Sequence, residues 1–137
     1  MLSPSATTIR VFFHVLFATV WVGGQLTLAG IVPAVRRSSP SATKVIAQAF
    51  SRVAWPAFGL TLVTGMWNLM AVDITTANDA YQGTVLFHLA VAIASGVFAV
   101  VHSLGKSKAA IAIGGALGAL TAILALFLGV LLRSGTA

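Results

Sequence analysis

FHVLFATVWVGGQLTLAG, residues 13–30, is apolar enough to lie in hydrocarbon, yet it contains His14, Trp21 and Gln25. A helix crosses a bilayer core with about 20 consecutive apolar residues, and this stretch sits inside a longer apolar run over 11–35. Three further runs follow at 53–72, 85–103 and 109–132, and the four together take up nearly all of the 137-residue chain. The second is expected to start earlier as a helix, because KVIAQAFSRVAW (44–55) keeps helical periodicity with its polar end past the hydrocarbon. Pro56 is placed to kink it. The pattern reads as an all-α integral membrane four-helix bundle, one domain over residues 1–137 with no linker dividing it. The first run is too long for the apolar core of a signal peptide and is read as retained.

Composition supports the same reading. The chain is 58% hydrophobic and 7% charged, with a mean hydropathy of +1.01, against the roughly 25% charged residues that keep a soluble surface wet. Cysteine is absent, which removes disulfides, thiolate zinc sites and iron–sulfur ligation and leaves histidine, methionine, carboxylate or backbone to hold any metal. The only two acids, Asp73 and Asp79, share one loop. No nucleophile lies beside a base, and no P-loop or dinucleotide fingerprint occurs, so hydrolase and nucleotide-binding readings lose their footing.

Basic residues set the expected orientation, since cytoplasmic loops collect Lys and Arg. Arg36, Arg37, Lys44 and Arg52 lie between the first two runs, and Lys106 and Lys108 between the last two. The intervening loop DITTANDAYQG (73–83) has none. An antiparallel up-down bundle with both termini outside follows, with Arg10 and Arg133 the two exceptions to the charge rule. The net charge of +6 is then a matter of topology and anionic lipid headgroups and calls for no nucleic acid.

Helical periodicity sorts the unusual residues by direction. His14, Phe17, Ala18, Trp21, Gln25 and Leu28 share a stripe of the first helix, and Thr19, Gly23, Thr27 and Gly30 form a small-residue surface opposite it. In the third helix Tyr81, Thr84, His88, Ala92, Ser95, Ala99 and His102 fall on one stripe. The fourth carries GGALG (114–118), a GxxxG pattern. Small faces let helices approach closely, and the two faces together predict that the chain self-associates through at least one of them. His14 and His88 each lie ~5–6 Å into their apolar runs at 1.5 Å per residue, from the same side. The returning second helix brings Met66, Trp67, Asn68 and Met70 to that layer, with Gly65 and Gly129 close by. His102 is four turns from His88, about 21 Å along the axis, and is assigned an interfacial or structural role. A pair of titratable groups facing one another inside a membrane marks a functional site.

HVLFATVWVGGQLTLAGIVPAV, followed by FSRVAWPAFGLTLVTGMWNLM and LFHLAVAIASGVFAVVH, resembles the four-helix membrane domain of CopD-type copper-resistance proteins. It is also similar to the HemJ-type protoporphyrinogen oxidases, which share the length, the helix-one His followed by W-x-G-G, the Pro and T-G of helix two and the terminal His of helix three. The resemblance covers nearly the whole chain. It implies a multi-pass protein of the bacterial plasma membrane. The HemJ likeness implies haem b ligated by the helix-one His, here His14, and an oxidoreductase activity. Those proteins often have Lys early in helix three where this chain has His88, and after helix one this chain has IVPAVRR (31–37) in place of their PR-L-F-V-Y-H ending. The CopD likeness implies copper bound or passed through the bundle.

Packing distances bear on that choice. Neighbouring helices in a bundle lie 8–10 Å apart, so diagonal helices one and three would be roughly 12–14 Å apart, a span that suits two axial imidazoles on one haem. Copper needs nitrogen ligands near ~2 Å, so His14 and His88 would have to lean in with Met66 and Met70. Haem b is the favoured cofactor, with His14 and His88 as iron ligands, Phe17 and Trp21 against the porphyrin face, and Gly65 and Gly129 leaving room for its edge. Copper is the alternative, and an accessory subunit with incidental histidines a third. The redox partner cannot be read from the sequence.

Overall fold

Three of the four helices start where a short polar side chain captures backbone N–H groups that a helix leaves unpaired. In a computed structural model, which describes residues 3–135, Ser5 and Thr8 form a reciprocal capping box that opens α1 (Ala6–Ser38). Pro40 occupies the first turn of α2 (Pro40–Met70), where its missing N–H costs nothing. Asn78 accepts from the Tyr81 N–H to start α3 (Asp79–Leu104), and Ser107 does the same for Ala110 at the head of α4 (Lys108–Ser134). A short 3-10 turn, Ile74–Thr76, follows α2. Beside it the Thr75 hydroxyl and backbone N–H hold the Asp73 carboxyl below its ordinary value. α1 and α2 run unbroken through Pro33 and Pro56.

Three of these helices, α1, α3 and α4, are long and apolar enough to cross a membrane. Only 11% of the most apolar window of α1, and 17% of those of α3 and α4, is buried against protein. Phe12, Leu86, Leu120 and Phe127 instead turn outward. Large apolar side chains exposed along whole helices are what a bilayer solvates and water does not. α2 is long enough, but Trp55, Pro56, Trp67 and Asn68 dilute its apolar half. α1, at 33 residues, is about 50 Å long at 1.5 Å per residue, so it outruns a core of about 30 Å and carries Arg36 and Arg37 on its last turn.

The chain divides between Val72 and Asp73 into two compact units, one built from α1 and α2 and the other from α3 and α4. In the first, contacts pair rising numbers with falling ones: Arg10 with Asn68, His14 with Thr61, Trp21 with Trp55 and Phe58, and Gly24 with Phe50. In the second, His88 meets Ala125, Ser95 meets Gly118, and His102 meets Ile111.

The two units are built alike. V-x-F-H opens the site turn of both first helices (Val11–His14, Val85–His88), and L-x-x-G closes it on both second helices (Leu62–Gly65, Leu126–Gly129). The spacing from His14 to the buried Trp21 and Val22 recurs from His88 to the buried Ser95 and Gly96. One packing pair is exchanged between the units. Gly24 of α1 lies under the Phe50 ring of α2, whereas at the corresponding places α3 has Phe98 and α4 has Gly114. Gly24 thus makes room for a ring, whereas Gly114 lies directly against the α3 backbone at Phe98 and His102.

Candidate functional site

The chemistry of each unit centres on a half-buried histidine whose ring reaches the neighbouring helix. His14 Nδ1 is 3.1 Å from the Thr61 carbonyl oxygen and 3.2 Å from Thr64 Oγ1. His88 Nδ1 is 3.0 Å from the Ala125 carbonyl oxygen. A carbonyl only accepts, so in both rings Nδ1 carries a proton. The Thr64 hydroxyl donates to the Leu60 carbonyl at 2.6 Å, which turns its oxygen toward His14 as a second acceptor.

A glycine makes each approach possible. In a helix the carbonyl of one residue already receives the N–H four residues later, and the side chain of that later residue covers it. Here Gly65 stands four residues after Thr61 and Gly129 four after Ala125. A Cβ on Gly65 would lie 3.1 Å from His14 Cε1, and one on Gly129 would lie 3.5 Å from His88 Cε1. His102 uses the same device. Its Nδ1 is 2.7 Å from the Ile111 carbonyl oxygen, and Gly115 follows four residues later, but His102 is exposed.

These distances predict different outcomes for two similar substitutions. Gly129→Ala places its methyl at ordinary contact distance and removes a helix-interior glycine, so it is expected to stabilise the α3–α4 pair by about 0.5–1 kcal/mol. Gly65→Ala makes the His14 ring give by a few tenths of an ångström, which strains its bond to the Thr61 carbonyl, worth about 1 kcal/mol, and offsets the same gain. Denaturant unfolding of both variants in one mild detergent checks the order.

The remaining expected site residues fall into different settings. Trp21 is 5% exposed and packs in the α1–α2 core, its ring 5.5 Å from Trp55 and 4.5 Å from Phe58. Phe17 stacks on Phe13 at 6.1 Å. The Gln25 amide donates to the Trp21 carbonyl of its own helix at 3.2 Å. Met66 and Met70 are 50% and 81% exposed, on a different face of α2 from Thr61, Thr64 and Gly65. Arg10, absent from the expected site, lies one turn before His14, and its Nε donates to Asn68 Oδ1 at 2.7 Å. Its departure from the charge rule was the sequence signal that could have found it.

Of the two small-residue faces, that of Gly114 and Gly118 is taken within the chain by α3, through Phe98, Ala99 and His102, while Gly23 and Gly30 have open space around them. Among the described residues no group of three or more His, Cys, Asp or Glu side chains gathers as a metal cage. No protein-family model, no curated protein and no solved structure matches the chain.

Proposed function

We propose that this is a membrane haem b protein in which His14 and His88 supply the two axial imidazoles and which carries electrons to or from a redox partner. The observation that supports the reading is made twice, once in each unit: an imidazole within an apolar helix is oriented through Nδ1 by a main-chain carbonyl and seated beside a glycine. Neutral imidazole fixed through Nδ1 is the form that ligates iron. Each ring by itself is therefore suited to be an axial ligand. Bound haem would supply one-electron redox chemistry, and the chain would set its potential through axial ligation and apolar burial.

Four crossings suit this reading. α2 tracks α1 from Asn68 beside Arg10 to Phe50 beside Gly24, so a membrane crossed by α1 is crossed by α2 as well. With an even number of crossings both termini would lie on one side, and the basic segments 36–52 and 106–108 support that side as the outer one. Copper finds less support, because Met66 and Met70 face away from the helix surface that seats His14.

The visible spectrum of the detergent-purified protein tests the proposal. A Soret band with sharp bands in the reduced form is expected, and a colourless protein that binds one copper per chain, or no metal, would overturn it. Self-association is expected through the open Gly23–Thr27–Gly30 face of α1. Gly23→Leu should lower the mass measured by light scattering in lipid nanodiscs, and a wild-type monomer in several mild detergents and in lipid refutes the idea.

A further inference from the structure

We infer that Arg10, held in place by Asn68, is a receptor for an oxyanion, and that the oxyanion is a propionate carboxylate of the porphyrin, an identity that rests on the haem reading. Arg10 stands four residues before His14 on α1 and therefore on the same face. Opposite it, Asn68 stands four residues after Thr64, whose hydroxyl lies 3.2 Å from His14 Nδ1. Two successive turns of α1 are thus tied to two successive turns of α2, one through the imidazole and one through the guanidinium. The 2.7 Å bond from Arg10 Nε to Asn68 Oδ1 is part-buried and fixes the plane of the guanidinium. The Nη1 and Nη2 pair is left as a fork, the geometry that takes a carboxylate or phosphate through two hydrogen bonds.

The charge has no acid in its own unit, since residues 1–72 contain neither Asp nor Glu. Asp73 already accepts from the Thr75 hydroxyl and N–H. A half-buried guanidinium at a membrane helix end needs a counter-charge or water. Arg10 also stands apart from the six basic residues that obey the charge rule. An anion supplied from outside the α1–α2 pair accounts for a cation kept against that bias. Porphyrin carboxylates and lipid phosphates share this chemistry. His14 one turn away favours the porphyrin, whose iron and propionates would be held by adjacent turns of one helix.

The test loads the full-length protein with iron protoporphyrin IX and, separately, with its dimethyl ester, which keeps the iron and lacks both carboxylates. Wild type is expected to prefer the free acid by about tenfold, the worth of a charge-assisted hydrogen bond. Arg10→Gln should collapse that preference while keeping the low-spin spectrum, which shows the fold and axial ligands intact. Asn68→Ala should weaken it, Arg10→Lys should not restore it, and Arg37→Gln should leave it unchanged. Native mass spectrometry of the same proteins reads co-purified anionic lipid. If wild type takes up neither porphyrin and Arg10→Gln loses a bound phosphatidylglycerol, the receptor stands with lipid phosphate as its anion and the haem reading falls. Equal affinity of wild type for acid and ester, or an Arg10→Gln protein unchanged in both ester discrimination and lipid retention, overturns the receptor.

Discussion

Replacing His14 and His88 together by alanine is expected to give a helical, membrane-inserted protein that no longer holds stoichiometric low-spin haem. On the proposed haem reading, either single replacement should convert the spectrum to a high-spin form or lose the cofactor, because each would remove one strong-field ligand. His102→Ala should leave the spectrum largely intact, since His102 is exposed near the opposite end of α3 and the chain has no fourth histidine to complete a second site. The fold should survive these changes. Each lost imidazole gives up its bond to a main-chain carbonyl, a kind of contact worth about 0.5–1.5 kcal/mol, and Thr61 and Ala125 keep their helical carbonyl bonds. Circular dichroism and the spectrum of the same samples separate the two effects. A double variant with wild-type helicity and a full complement of low-spin haem would refute the assignment.

Gly114→Ala is expected to have the largest effect on stability. Its Cβ would fall 2.6 Å from the His102 backbone nitrogen and 2.9 Å from the Phe98 carbonyl oxygen. Both are main-chain atoms and cannot swing aside as a side chain can, so α3 and α4 must separate. Overpacking of this kind costs about 1–3 kcal/mol, and the gap reaches Ser95, whose hydroxyl bonds the Gly118 carbonyl at 3.2 Å. Gly59→Ala is the control, because nothing lies within 4 Å of its added methyl. Gly24→Ala should fall between them, since only the flexible Phe50 ring stands in the way. Unfolding by SDS titration in mixed micelles checks the ranking. An unaltered midpoint for Gly114→Ala would show that the α3–α4 approach is looser than described here.

The sequence by itself determined the helical class and the rough places of the apolar segments, because the need to bury about 20 residues per crossing leaves a mark in composition that no neighbour is required to read. It located the helix ends less well. α1 starts at Ala6 and α3 at Asp79, before their apolar runs, since Ser5 and Asn78 cap them from polar positions that hydropathy does not weigh. Periodicity also gave the direction of His14 and His88, because 3.6 residues per turn fix the angle of a side chain about its own axis.

What periodicity cannot give is the register of one helix against the next. Only the tertiary structure decided that His14 meets the Thr61 carbonyl, that His88 meets Ala125, and that Gly65 and Gly129 clear the way for the two rings. The same holds for Gly114 and Gly118, legible as a close-packing face but not as one that α3 occupies, and for Trp21, legible as inward-facing but not as the partner of Trp55 and Phe58. Register follows from how ridges and glycine notches fit along two whole helices, a property of the pair that neither sequence segment contains alone.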